Sequence, residues 1–216
     1  DASANGWPER VALCVPRQQD DEARRLLEKE CEIMATLCHP NIVGIHGIGE
    51  DEGTFFAVTE LVEGETLHEM LRRRGPIPFE ESLAIIRQVG EALDFAHAAL
   101  AIHRDIKPAN IMIRPDGAVK VLDFGLARLM AHSQYRAVTT VGTVAYMAPE
   151  QFEGRTGLNS DLWALGLTCY QLLTNVHPFP FADEGSLMRA ILYEAPDLSP
   201  VEHGDFDPRL TGIFRK

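Results

Sequence analysis

The residue pattern predicts an α+β fold in which a small, antiparallel β-rich part precedes a mainly helical one. Three observations carry it. Short runs rich in apolar, β-branched and aromatic residues crowd the first 61 positions. From position 78 onward, long segments place apolar residues at three- and four-residue spacing. Within the second part, RPDG at 114–117 joins two further short apolar runs with the Asp-Gly turn of a tight hairpin.

The first strand is VALCV (11–15), whose alternation sends Ala12 and Cys14 to one face and Val11, Leu13 and Val15 to the other. DDEARRLLEKECEIMATL (20–37) follows as a helix, with Leu26, Glu30, Ile33, Met34 and Leu37 at helical spacing and acidic residues at the favoured N-terminal end. Glu30 then shares a side with Met34 and Leu37. IVGIHGI (42–48) and TFFAVTEL (54–61) read as antiparallel strands joined by the turn EDEG (50–53). After the polar EGET, PFEESLAIIRQVGEALDFAHAAL (78–100) sets Phe79, Leu83, Ile86, Val89 and Leu93 on one stripe of a long helix. NIMI and AVKVLDF flank the RPDG turn, and DLWALGLTCYQLLTN (161–175) is a nearly uncharged helix expected to be buried. No internal repeat or low-complexity tract interrupts this order.

With 216 residues, 45% hydrophobic and 24% charged, the chain can bury a substantial core in one domain or two lobes, and disorder is excluded. A net charge of -12 argues against nucleic acid or an anionic membrane surface as a partner and tolerates basic peptides better. Cys14, Cys31, Cys38 and Cys169 show neither CxxC spacing nor paired clusters, so no zinc site or disulfide framework is expected and a reducing cytoplasm is the natural compartment. No apolar run reaches the eighteen or so residues of a membrane span. The opening DASANG lacks an initiator Met and a signal-peptide pattern, and the chain reads as a fragment. On composition alone Cys14 is core filler, since free cysteine packs as a small hydrophobe.

Chemistry concentrates in IHRDIKPANIMI (102–113) and VLDFGLA (121–127), followed by VGTVAYMAPE (141–150). Each piece alone is weak. In this order, with SDLWALG (160–166), they strongly resemble the eukaryotic-type protein Ser/Thr kinase family in its bacterial style, from about Val11 to the end. Small-molecule phosphotransferases with a kinase-like fold share HxDxxxxN and DxG, but usually lack the lysine at 107 and the GTxxYMAPE segment. The resemblance implies a bilobal fold, with an N-lobe at 1–62, a hinge at 60–62 and a C-lobe at 63–216, truncated at both ends. The glycine-rich phosphate loop is then expected just before Asp1 and the last helices beyond Lys216, together with the arginine that usually pairs with Glu150.

It also implies ATP and Mg²⁺ as cofactors, Ser/Thr-bearing proteins as substrates, and a homodimer for autophosphorylation. Phosphoryl transfer passes through a loose in-line transition state, which leaves the protein positioning and charge neutralisation. By similarity Asp105 orients the substrate hydroxyl and accepts its proton, Lys107 neutralises the transferring phosphate, and Asn110 and Asp123 are the hard oxygen ligands for Mg²⁺. Thr143 resembles the threonine that bonds the catalytic Asp and Lys, and Asp161 the buried acid that anchors the HRD backbone. His103 would pack in an apolar column with Met34, Ile45 and Phe124. For adenine, Thr59 is the gatekeeper, Glu60 to Val62 the hinge, and Ala12 and Met112 the sandwich; Thr66 falls near the ribose. Thr139, with Thr140 next, is the expected activation-loop phosphosite, and Arg104 the cation left unsatisfied until that phosphate pairs with it.

One position departs from the family. VALCV aligns with the VAIK strand, which puts Cys14 where the phosphate-binding lysine should be and leaves Glu30 without its usual partner. Arg17 cannot replace it, lying an odd number of residues from Ala12. Two readings stay open: a kinase whose lysine comes from the neighbouring glycine-rich strand, and a pseudokinase that serves as a nucleotide-sensing or scaffolding module. Cys14 is expected to line the nucleotide pocket beside Glu30, whose carboxylate would raise the thiol pKa, whereas a lysine arriving from the neighbouring strand would lower it.

Overall fold

In a computed structural model of the chain, residues 6–16, 19–124, 144–179, 183–204 and 206–215 are described. Two small antiparallel sheets stand among helices, as the pattern requires. β1 (Val11–Cys14), β2 (Ile45–Asp51) and β3 (Thr54–Glu60) form the first sheet in the order β1-β3-β2. Its register sets Ala12 opposite Thr59 and Cys14 opposite Ala57. The β2–β3 turn places Glu52 (φ 46°) and Gly53 (φ 78°) in the left-handed region, the pairing that a two-residue hairpin turn demands. β4 (Glu65–Thr66), β5 (Ile111–Ile113) and β6 (Val119–Val121) make the second sheet. Gly64, just before β4, passes so close to β5 that a Cβ there would collide with the Ile113 carbonyl.

α1 (Asp21–Ala35) crosses from β1 to β2, capped by the Asp20 carboxylate, which accepts from the Ala23 amide at 2.8 Å. It buries Ala23, Leu27, Glu30, Cys31 and Met34. Leu26 and Ile33, expected on that stripe, lie partly outside it, because the sheet meets the helix about one residue further round. α2 (Leu67–Arg74) opens on a capping box between Thr66 and Glu69. α3 (Phe79–Ala98) is as long as the sequence predicts but turned: it buries Ser82, Ile85, Val89, Ala92, Leu93 and Ala96, whereas Phe79 and Leu83 are exposed. The small residues Ser82, Ala92 and Ala96 let α3 approach its neighbours closely, and that decides which face goes in.

The helical part continues with α4 (Pro149–Phe152), α5 (Leu158–Thr174), α6 (Glu184–Tyr193), α7 (Ser199–Glu202) and α8 (Arg209–Phe214). α5 packs on α3 and ends at Asn175 in a left-handed cap (φ 57°). One large core runs from Leu27 and Met34 under the first sheet, through Val119, Val121 and Phe124, to Leu93 and Leu172. The two sheets therefore share one apolar interior, and the loop 101–110 runs along its edge.

Candidate active site

The loop is built on a carboxylate. Asp161, in the first turn of α5 and fully buried, accepts the His103 amide at 2.9 Å and the Arg104 amide at 2.7 Å; its Oδ2 also lies 2.8 Å from His97 Nε2. These bonds hold Arg104 at φ 71°, a left-handed conformation that a non-glycine residue adopts at a cost. His103 is buried, and burial pushes its pKa below the usual histidine value. As a neutral ring it donates from Nε2 to the Leu122 carbonyl (2.7 Å) and accepts the Asp105 amide at Nδ1 (3.2 Å). Its edge meets Phe124 at a ring distance of 4.5 Å, and Met34 and Phe124 line one cavity, which brings together three members of the expected column; Ile45 packs against the same core.

Two residues converge on one oxygen of Asp105. Lys107 Nζ lies 2.6 Å from Asp105 Oδ2, and Asn110 Nδ2 donates to the same oxygen at 2.9 Å and to the Asp105 carbonyl at 2.8 Å. The Leu122 amide donates to the Asn110 carbonyl at 2.9 Å, which draws the next residue, Asp123, to the same place. Asp123 itself sits at φ 57°. Burial first, then the Asp105 charge, raises its carboxyl pKa, against the pull of His103 and Lys107. Because Asn110 commits its NH₂ to Asp105, its carbonyl oxygen is the atom left for a cation. With the Asp123 carboxylate it makes the hard oxygen pair that suits Mg²⁺. Among the described residues no group of three or more His, Cys, Asp or Glu could hold a metal, so such an ion would complete its shell from a bound phosphate and water.

Cys14 is half-buried and packs against the core under the first sheet. Its thiol is pushed up to about 11, by burial first and by Asp123 second. Asp123, not Glu30, is thus the carboxylate that Cys14 feels, while on α1 its neighbour is the thiol of Cys31. Glu30 is 3% exposed, and its Oε1 lies 4.0 Å from Arg104 Nη1. The arginine expected to stand unsatisfied thus has an anion beside it. With no lysine at position 14, Arg104 is a cation that stands beside that carboxylate among the described residues. Beside the pair lies a cavity of about 50 Å³ lined by Glu30, Met34, Leu37, Ile102 and Phe124.

At the opposite end of the cleft, Thr59 is buried against its register partner Ala12, and Met112 pairs with Thr66 across β4 and β5. Val62 packs against the core. Glu60 is half-buried and paired: its Oε2 accepts Lys120 Nζ at 2.8 Å and the Gly44 amide at 3.1 Å. The sequence reading passed over Lys120, although a lone cation inside the apolar run VKVLDF was the available signal. Glu150 accepts from Ser160 Oγ at 2.7 Å. Thr143, Thr139, Thr140 and Arg17 lie outside the described residues.

Comparison with known proteins agrees with this geometry. The chain is 38% identical over 174 residues to the probable serine/threonine-protein kinase PknB of Lactococcus lactis, covering 78% of this chain and 28% of that protein. It is 38% identical over 188 residues to serine/threonine-protein kinase PknE of Mycobacterium bovis (86% and 33%). With serine/threonine-protein kinase PrkC of Bacillus subtilis it shares 40% identity over 162 residues (74% and 25%). The chain spans roughly a quarter to a third of the length of these relatives. The family model described as the protein kinase domain matches residues 10–208, and the chain belongs to that family.

Proposed function

We propose that this chain is the catalytic domain of a protein serine/threonine kinase, transferring the γ-phosphate of ATP to Ser and Thr hydroxyls of proteins. The observation that carries the reading is the convergence of Lys107 and Asn110 on Asp105 Oδ2. Among the described residues no donor contacts Oδ1, so Oδ1 is the oxygen that orients an incoming hydroxyl and takes its proton. Lys107, 17% exposed at its side chain, stays within reach of both that carboxylate and a transferring phosphate. Asn110 and Asp123 would hold Mg²⁺, which when bound neutralises phosphate charge. Asp161 keeps the loop in its left-handed turn, and Thr143 would bond Asp105 and Lys107. Adenine would lie between Ala12 and Met112, read by the backbone of Glu60 to Val62 behind Thr59. The lobes divide at 62, the protein is cytoplasmic, and its activity rises when Thr139 or Thr140 is phosphorylated. No described helix is long and apolar enough to cross a membrane.

A second reading, a pseudokinase, rests on Cys14: a neutral thiol supplies no cation to the phosphates. Labelled ATP and a generic basic protein substrate separate the two. The protein should transfer phosphate with Mg²⁺, and Asp105→Asn should lose about 10²–10⁴-fold, the usual worth of a positioned general base. Transfer no greater than that variant's, with Mg²⁺ or Mn²⁺, would establish the pseudokinase.

A further inference from the structure

The lysine that the family keeps at position 14 is missing, but a different lysine is buried at the hinge. Lys120 is 8% exposed, on β6, among apolar neighbours. Its Nζ lies 2.8 Å from Glu60 Oε2 and 3.3 Å from the Ile42 carbonyl. Burying an ammonium group is costly unless it is paired and hydrogen-bonded, and here both conditions are met by groups from two other segments.

Those segments are the ones a nucleotide would bridge. Residues 41–44 form a strap between α1 and β2. On one side the Val43 amide donates to the Val121 carbonyl (3.0 Å) and the Val121 amide to the Asn41 carbonyl (2.8 Å). The Asn41 side chain adds donations to the Val119 carbonyl (2.9 Å) and to Gln88 on α3 (3.0 Å). On the other side the Glu60 amide donates to the Gly44 carbonyl at 2.8 Å, and the Gly44 amide returns a bond to the Glu60 carboxylate. Lys120 crosses the strap and closes the ring, with Asp123 three residues further on, just past the end of its strand. Burial by itself would raise the Glu60 pKa, but the Lys120 and Gly44 hydrogen bonds and the Lys120 charge hold it below the usual carboxylate value.

We propose that Lys120 is a positioning residue for the nucleotide. By fixing the Glu60 side chain it fixes the adjoining backbone that reads the base, and it sets that backbone at a constant offset from the strand leading to Asp123. The inference rests on the reading of Glu60 to Val62 as an adenine hinge. The joint is a connected set of buried and half-buried polar contacts, the kind of network that holds one arrangement well and tolerates a half-removed pair badly.

Calorimetric titration with adenosine and with Mg·ATP, on the protein at its natural length, tests it. The variants are Lys120→Met, Glu60→Gln and the double, each with an unfolding midpoint taken without ligand. Lys120→Met should weaken adenosine and Mg·ATP by the same factor, about threefold or more for residues coupled in one polar network. It should also lower the midpoint, because a half-buried carboxylate has lost its cation. The double variant should recover much of the midpoint, since no unpaired charge remains, while adenosine binding stays weak. Unchanged adenosine binding in Lys120→Met, a loss confined to Mg·ATP, or base affinity that returns in step with the midpoint would each overturn the proposal. Failure of the unaltered protein to bind either ligand would instead remove the hinge reading on which it stands.

Discussion

Alkylation of Cys14 puts the least ordinary residue of the site to a quantitative test. Its thiol is raised from 9.0 to about 11 by burial and the Asp123 charge, so at pH 8 its thiolate fraction falls about a hundredfold. A more basic thiolate is a better nucleophile, and a Brønsted slope near 0.5 over two units returns about tenfold. The net expectation is a rate about tenfold below that of an unperturbed thiol, before any steric term. Because the folded pKa is raised, the neutral thiol persists as the pH climbs, and the rate should keep rising beyond 9.0, where an ordinary thiol levels off. Iodoacetamide labelling followed by peptide mass spectrometry gives each cysteine its own time course, with exposed Cys38 as the fast reference and Cys169, pushed to about 11 by burial, as the slow one. Mg·ATP should slow Cys14 further and leave Cys38 unchanged. If Cys14 labels as fast as Cys38 at pH 8, the electrostatic account of the site is wrong. Equal labelling with and without saturating Mg·ATP refutes its place in a nucleotide pocket.

Three further outcomes follow from the geometry. Asp161→Ala removes the acceptor of two backbone amides and should destabilise the protein by on the order of 3 kcal/mol in denaturant unfolding, with Asp161→Asn, which keeps an acceptor, costing less. On α3, Leu93→Ala should cost about 2–5 kcal/mol and Leu83→Ala no more than about 0.5 kcal/mol, since the first is 1% exposed and the second 51%; equal effects would restore the stripe expected from spacing. Glu60, held below its ordinary 4.5, contributes stability that is present above that pH and disappears as the pH falls through its lower folded value. Lys120→Met should therefore lower the unfolding midpoint more at about pH 7 than at about pH 3.

The Asp105–Lys107–Asn110 cluster and the proposed metal-ligand pair were readable because phosphoryl transfer restricts residue type and spacing together: Asp105, Lys107 and Asn110 lie within six positions, and the Asp-Gly turn predicts that Asn110 and Asp123 meet. Asp161 was readable only through resemblance, since nothing local says that a carboxylate 58 residues away will accept the His103 amide. The buried face of α3 was misplaced because spacing alone weights Leu83 above Ser82 and Ala96, whereas close packing between helices favours the small residues. Lys120 and the Glu30–Arg104 approach were illegible for a different reason. Both pair charges from segments far apart in sequence, and charge carries no period by which a strand or helix face could announce its partner.

Asp123 carries three penalties at one position: a left-handed backbone, burial of its carboxyl, and a like charge nearby at Asp105. A non-glycine residue in that conformation costs roughly 1 kcal/mol on its own. Glycine at 123 would release all three at once, and asparagine would remove the charge while tolerating the backbone. With Asp123 as the proposed Mg²⁺ ligand, durability and turnover pull against each other at this residue, and a thermal-tolerance screen run without an activity filter would drift toward robust, inert variants at position 123.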